Sequence, residues 1–473
     1  MFDNDSDNKP FELDGEDEYA LVQRYEYMLR NNLKTFFDID EFELIIDHYI
    51  WENNAADAIT AANIADSYFP DSNDLKVRRA EILILKNEPY NALKILDQLE
   101  RLEPNNPQIN FSKAKANIQL DNIREANRQF DLVLKKDEEN PSEVLSQIAD
   151  YLICLANFEL ALKYLNRALK IDASNKDILY QTAYCYDRLN DTDNCIEYYN
   201  KYLDENPFDE SAWHNLGTIY GRVNKYEEAI EAFDYATSIN DFYEPSLYNK
   251  ANTLANLERY DEAIIAFNDF LELEPDNLYA RCTIGECYEK LGEYEKAIEI
   301  YNDVIKIDSG FPDSYYGLGI VMMRQEKYND SALYISKALE IDPENSDFLY
   351  TSGELLFRMD CKDDAVYAFN KAVKYNPYDV EAWLFMVEIQ IGDDDWELAL
   401  LTLKKAYAHN PESPQLNYRM AAFYFLQRDM LNSVDFLKKA LLLNFNLADY
   451  FFGLCPDAKD NNVIMNLYNQ YKN

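Results

Sequence analysis

The sequence predicts an all-α fold, an α-solenoid of stacked helix-turn-helix repeats, on three observations. A small residue returns every 34 residues, prolines return at one place in the same period, and helix breakers are otherwise scarce. Only 11 glycines and 15 prolines are spread over 473 residues, so long stretches lack the two residues that most disfavour a helix interior. An apolar content of 48% suffices for a large core. A period of this length points to a repeat array before any single element is assigned.

Residues 1–38 form an acidic N-terminal tail followed by a capping helix. The first eighteen residues carry eight acids against Lys9, and a helix is predicted from about Asp17 to Phe36. Residues 39–447 divide into twelve repeats starting at 39, 73, 107, 142, 176, 210, 244, 278, 312, 346, 380 and 414. The pattern is plainest in residues 210–243. There Trp213, Leu216, Gly217 and Tyr220 fall at helical spacing, and Tyr226, Ala229, Phe233 and Ala236 form a second such set after a turn at Arg222 to Lys225. Stepping by 34 from Ala229 gives Ala263, Ala297, Ser331, Ala365, Ala399 and Ser433 forward, and Cys195 and Ala161 backward. One extra residue, Pro141, then intervenes, and the series resumes as Ala126, Ala92 and Ala58. Because the extra residue would lengthen the turn between repeats, a local change of pitch is expected there.

Small residues at a crossing let two helices approach to the short end of the usual range of about 8 to 10 Å. Gly217, Gly285, Gly319 and Gly353 supply the same relief on the first helix of their repeats. Pro70, Pro104, Pro207, Pro275, Pro343, Pro377 and Pro411 recur at the thirty-second place, where they stop the preceding helix. Bulky residues such as Leu165, Tyr199, Phe233, Phe267, Tyr301, Ile335, Phe369 and Leu403 are read as core between neighbouring repeats. Residues 448–473 hold a short apolar stretch and a C-terminal capping helix with Val463, Ile464, Leu467, Tyr468 and Tyr471 on one face. If that helix leaves the surface around Phe445, Leu447, Tyr450, Phe451, Phe452 and Leu454 open, the surface is a candidate for self-association.

Composition narrows the partners. A balance of 45 Lys+Arg against 87 Asp+Glu gives a net charge of −42, which repels nucleic-acid phosphates and anionic lipid surfaces. The opening residues lack the basic and apolar regions of a secretory signal, and no 18-residue apolar run occurs, so a soluble cytoplasmic protein is expected. Cys154, Cys185, Cys195, Cys282, Cys287, Cys361 and Cys455 show no metal-ligand spacing and read as thiols in a reducing compartment. His48, His214 and His409 are far apart, and no Gly-rich phosphate loop appears. No catalytic, cofactor or metal residues are therefore assigned.

The set Trp213, Leu216, Gly217, Tyr220, Ala229, Phe233, Ala236, with proline near the end of the repeat, resembles the tetratricopeptide-repeat (TPR) family. The resemblance covers residues 39–447 and is strongest from 176 to 413. Ile46 and Val387 depart from it by replacing the small residue of the first helix. It implies a right-handed superhelix whose first helices line a concave groove for partner proteins or peptides, with the second, fifth, ninth, twelfth and thirteenth places facing inward. On that register the groove candidates are Tyr180, His214, Tyr248, Tyr316 and Tyr350 at the fifth place and Asn252 at the ninth. Arg188, Arg222, Arg324 and Arg358 are the candidates at the thirteenth. With no lysine at any fifth place, the lysine-asparagine clamp that some family members use for acidic C-terminal peptides is absent.

The function expected is a non-enzymatic interaction scaffold or adaptor. The alternative is a regulator whose superhelix changes pitch on binding a peptide. Glu286 with Lys290 and Glu354 with Arg358 are expected to pair within one helix, whereas Arg188, Arg222 and Arg324 have no acid one turn earlier. Those three cations suggest an acidic or phosphorylated partner segment.

Overall fold

Each repeat is built on a helix stop that its backbone satisfies locally. In the computed structural model, which describes residues 15–31, 33, 35–136 and 140–472, the fifteenth place of every repeat has a positive φ. Eleven of these residues are not glycine, among them Asn53, Ala156, Asn224 and Arg428, and the twelfth is Gly292 at +77°. The following residue then donates its N–H back to the carbonyl five residues earlier, as Asn157 does to Leu152 at 2.9 Å and Lys225 to Tyr220 at 3.0 Å. This is the Schellman closure, which satisfies carbonyls that a helix end would otherwise leave orphaned. A second helix starts at once and runs back along the first.

Contacts divide the chain after Asp209 into two compact units. In the first, α1 (Gly15–Arg30) precedes five helix pairs. These are α2 (Ile39–Trp51) with α3 (Ala55–Tyr68), α4 (Asn73–Leu85) with α5 (Pro89–Leu102), and α6 (Pro107–Gln119) with α7 (Ile123–Lys136). The last two are α8 (Pro141–Cys154) with α9 (Phe158–Ala168) and α10 (Lys176–Arg188) with α11 (Thr192–Glu205). The acidic lead before Gly15 lies outside the described residues. Helix α1 ends at Arg30, earlier than Phe36, and its Tyr25 is fully buried against Phe37 and Tyr49.

The second unit holds seven pairs. They are α12 (Glu210–Arg222) with α13 (Tyr226–Ile239), α14 (Glu244–Asn256) with α15 (Tyr260–Leu273), α16 (Leu278–Lys290) with α17 (Tyr294–Ile307), and α18 (Pro312–Arg324) with α19 (Tyr328–Ile341). Then come α20 (Ser346–Arg358) with α21 (Lys362–Tyr375), α22 (Val380–Gly392) with α23 (Trp396–His409), and α24 (Pro414–Leu426) with α25 (Met430–Leu443). Helices α26 (Ala448–Leu454) and α27 (Asn462–Tyr471) close the end. The fold is thus an α-solenoid of twelve helix-turn-helix repeats with terminal capping helices, and the described residues contain no strand.

The core of each repeat is a meeting of its eighth, twentieth and twenty-fourth places. Ser331 Oγ donates to the Gly319 carbonyl at 2.7 Å and Ser433 Oγ to the Ala421 carbonyl at 2.9 Å, so the twentieth place lies on the backbone of the eighth. A Cβ added at Gly217 would stand 2.7 Å from the Phe233 ring, and one at Gly353 would stand 2.7 Å from the Phe369 ring. The volumes therefore trade off across the crossing. Where Ile46 fills the eighth place, fully buried, the twenty-fourth shrinks to Ala62, and opposite Val387 stands Leu403 rather than an aromatic ring. The first departure is offset by its neighbour.

One expectation is corrected. Pro141 does not sit in a turn but opens α8, which has 14 residues where the other first helices have 13. Proline suits a first helical position because its missing N–H has no intrahelical partner there. The surface proposed for self-association is covered: Phe451 and Phe452 are buried, Ile464 of α27 is fully buried in the same cluster, and Tyr468 stacks on Phe445 at 5.2 Å.

Candidate functional site

The tyrosines of the fifth place are anchored by the second helix of their own repeat or the first helix of the next. In the first unit, Tyr180 stands edge-on to Tyr199 and Tyr202 at 5.7 and 5.2 Å, leaving it half-buried. Arg188 is exposed, with its guanidinium 5.9 Å above the Phe158 ring.

In the second unit, Tyr248 rests on Phe267 and Phe270, and Tyr350 on Phe369 and Phe385. Tyr316 stacks on Phe348 at 4.7 Å and its hydroxyl lies 3.0 Å from Thr351 Oγ1. His214 Nδ1 is 3.0 Å from the buried Ser246 hydroxyl, and burial pushes its imidazole below the ordinary histidine range. Asn252 spends one amide hydrogen on the Tyr248 carbonyl of its own helix, at 2.9 Å. Arg222 is exposed at the end of α12.

The cations of the thirteenth place do not all stand as the sequence suggested. Arg358 pairs with Glu354 at 2.6 Å, as expected from the one-turn spacing. Lys290 turns instead to the adjacent Glu289 at 3.9 Å, and Arg324 Nε donates to that same Glu289 at 3.0 Å. Glu289 keeps only 5% of its side chain exposed, so a buried carboxylate of α16 holds the arginine of the next repeat. Pairing across repeats, 35 residues apart, is invisible to a search within one helix.

Tyr316, Arg324 and Tyr350 converge on one depression of about 490 Å³ between α16, α18 and α20. Its aromatic and apolar lining also includes Tyr279, Tyr301, Ile320 and Met323. Sequence reasoning missed the excess of acid there: Glu286, Glu289, Asp313, Asp347 and Glu354 share the lining with Lys290 and Arg324, five carboxylates against two cations. They fall at the second, ninth and twelfth places, so counting charge over all inward places would have found them. Burial raises the Asp313 carboxyl above its ordinary range, with the charge of Asp342 adding to the effect. Burial likewise pushes the Tyr350 hydroxyl and the Cys282 thiol up to about 12. The depression does not include His214, Arg222, Tyr248, Asn252 or Arg358. Among the described residues no group of three or more His, Cys, Asp or Glu could hold a metal ion, and no helix is long and apolar enough to cross a membrane.

Profiles described as tetratricopeptide repeat match residues 156–218, 210–243 and 244–277, and one described as TPR repeat matches 288–326; the spans 210–243 and 244–277 coincide with two of the helix pairs above. The chain is a tetratricopeptide-repeat protein. No curated protein matches its sequence. Among solved structures, this TPR protein is similar to yeast Tom70, at 15% identity over 91% of this chain and 99% of that one, with a TM-score of 0.49. It is also similar to Cut9–Hcn1, a hetero-tetramer of the APC/C, at 15% identity over 84% and 93% with a TM-score of 0.38. A third similarity is to YrrB, a TPR protein with an unusual peptide-binding site, at 20% identity over 39% and 95% with a TM-score of 0.29. TPR arrays serve in general as protein-interaction scaffolds.

Proposed function

We propose that this TPR protein is a non-enzymatic scaffold that holds a segment of a partner protein against the first helices of its second unit, around Tyr316, Arg324 and Tyr350. The supporting observation is the depression itself, which three consecutive repeats line with tyrosines, Tyr316 and Tyr350 among them half-buried. A phenol ring offers a flat apolar face and a hydroxyl with little rotamer entropy to lose, which suits a contact residue. The cysteine usage supports a cytoplasmic setting for this role.

An acidic or phosphorylated segment is the sequence-based expectation for such a groove. In this depression its support is weak, because Arg324 is already engaged by Glu289 and carboxylates outnumber cations. A phosphopeptide would meet more repulsion than attraction there.

The test is capture of partners by wild-type protein and by the Tyr316→Ala, Tyr350→Ala double variant, with thermal melting to verify folding. Partners lost with the double variant and rebound by wild type as isolated segments support the reading. Retention of every partner at unchanged affinity overturns it.

A further inference from the structure

The lining carboxylates divide into two sets by what they hold. Glu289 is engaged by Arg324 and Lys290, and Glu354 by Arg358. Glu286, Asp313 and Asp347 also line the depression, and among the described residues none of them has a cation at ion-pair distance. Glu286 and Asp347 stand exposed at the rim and Asp313 is half-buried below them, so three like charges share one hollow and repel one another. Burial also holds the Asp313 carboxyl above its ordinary range. A cation entering the depression would relieve that repulsion, and an anion would worsen it.

The rest of the lining selects among cations. Tyr316 and Tyr350 line it with phenol rings, and Tyr279, 63% exposed, is held edge-on by Phe311 at 4.9 Å. Aromatic faces attract a guanidinium or ammonium through the ring quadrupole, and a guanidinium can in addition fork to a carboxylate. Ile320 and Met323 supply apolar surface for the methylene stem of a long basic side chain.

Resting on the reading of this face as a partner groove, we infer that the depression between α16, α18 and α20 receives an arginine or lysine side chain of an extended partner segment, held among Glu286, Asp313, Asp347 and the flanking tyrosines. The partner is thus a basic peptide segment, with arginine favoured over lysine because only a guanidinium both stacks and forks.

The chain's net charge of −42 attracts any cationic peptide, so the test separates local from global charge. A fluorescein-labelled Arg-Ser-Arg-Ser-Arg peptide is titrated against three proteins. These are the wild type, the groove variant Glu286→Gln, Asp313→Asn, Asp347→Asn, and an outer variant Asp261→Asn, Glu295→Gln, Asp330→Asn that removes the same charge from the exposed second helices α15, α17 and α19. The groove variant is expected to bind at least about tenfold more weakly, the outer variant within about twofold of wild type. Glu-Ser-Glu-Ser-Glu and phosphoserine peptides are expected to bind none of the three. Equal weakening in both variants, or tighter binding of the anionic peptides, overturns the inference. Thermal melting checks folding, and if the triple variant is unfolded the single change Asp347→Asn, expected to weaken binding by about threefold, carries the same decision. If partner capture fails with the tyrosine variant but survives the carboxylate variant, the groove reading stands and this inference falls. If capture survives both, both fall.

Discussion

At the scale of single residues, the repeats are governed by what each crossing has room for. Gly317 lies against the Tyr301 ring of the preceding repeat, where an added Cβ would stand 2.2 Å from the ring carbon bearing the hydroxyl. Tyr301 is itself 4% exposed and is boxed in on the other side by Gly285, so its ring has nowhere to move. Gly317→Ala is therefore expected to destabilise the second unit by about 1–3 kcal/mol, an overpacking cost. Combined with Tyr301→Leu, which withdraws the ring, the loss should fall short of the sum of the two single losses by about 1 kcal/mol. Denaturant melts of the four proteins measure this, and strict additivity would show that the two residues do not share the space. Glycines at the eighth place were readable from their recurrence. Gly317 at the sixth was not, because its neighbour belongs to another repeat.

At the scale of the element, the turn inside each repeat asks for one left-handed residue, and the sequence meets that demand unevenly. Asparagine tolerates positive φ well, whereas Ala156, at φ +55°, does so at a cost of about 1–2 kcal/mol, the steric conflict of its Cβ with the backbone. Ala156→Gly is expected to stabilise the α8–α9 pair by about 0.5–1 kcal/mol, the steric relief less the extra entropy that glycine loses. Asn190→Gly, at φ +58° in the next repeat, should change little and serves as the comparison. Hydrogen exchange of the α8 and α9 amides reports the local effect, since repeat arrays open by parts. A slower exchange in the alanine replacement alone is the expected outcome, and no change would mean that the turn bears no strain. Helix α8 also illustrates how an insertion is absorbed: Pro141 adds a residue to its first turn, where a missing N–H has no intrahelical partner.

On the scale of the molecule, an array stabilised by neighbours needs its open ends covered. Helix α27 does this for the last repeat by laying Tyr468 on Phe445 and Phe452 and burying Ile464. A chain ending at Asp460 should therefore expose an apolar face and associate with itself, its sedimentation coefficient rising over the micromolar range, while the full chain shows no such rise. Equal concentration dependence in the two chains would mean that α27 is not what guards this surface.

The sequence by itself determined the all-α class, the number of repeats and the small residue at each crossing, because these follow from local spacing that one chain repeats twelve times. The complementary swap of Ile46 with Ala62, the capture of Arg324 by Glu289 and the convergence of three carboxylates with Tyr316 and Tyr350 were decided by tertiary structure. Each joins residues of different helices, and most join different repeats. Their distance is set by how helices stack, a quantity that the spacing along one helix does not contain.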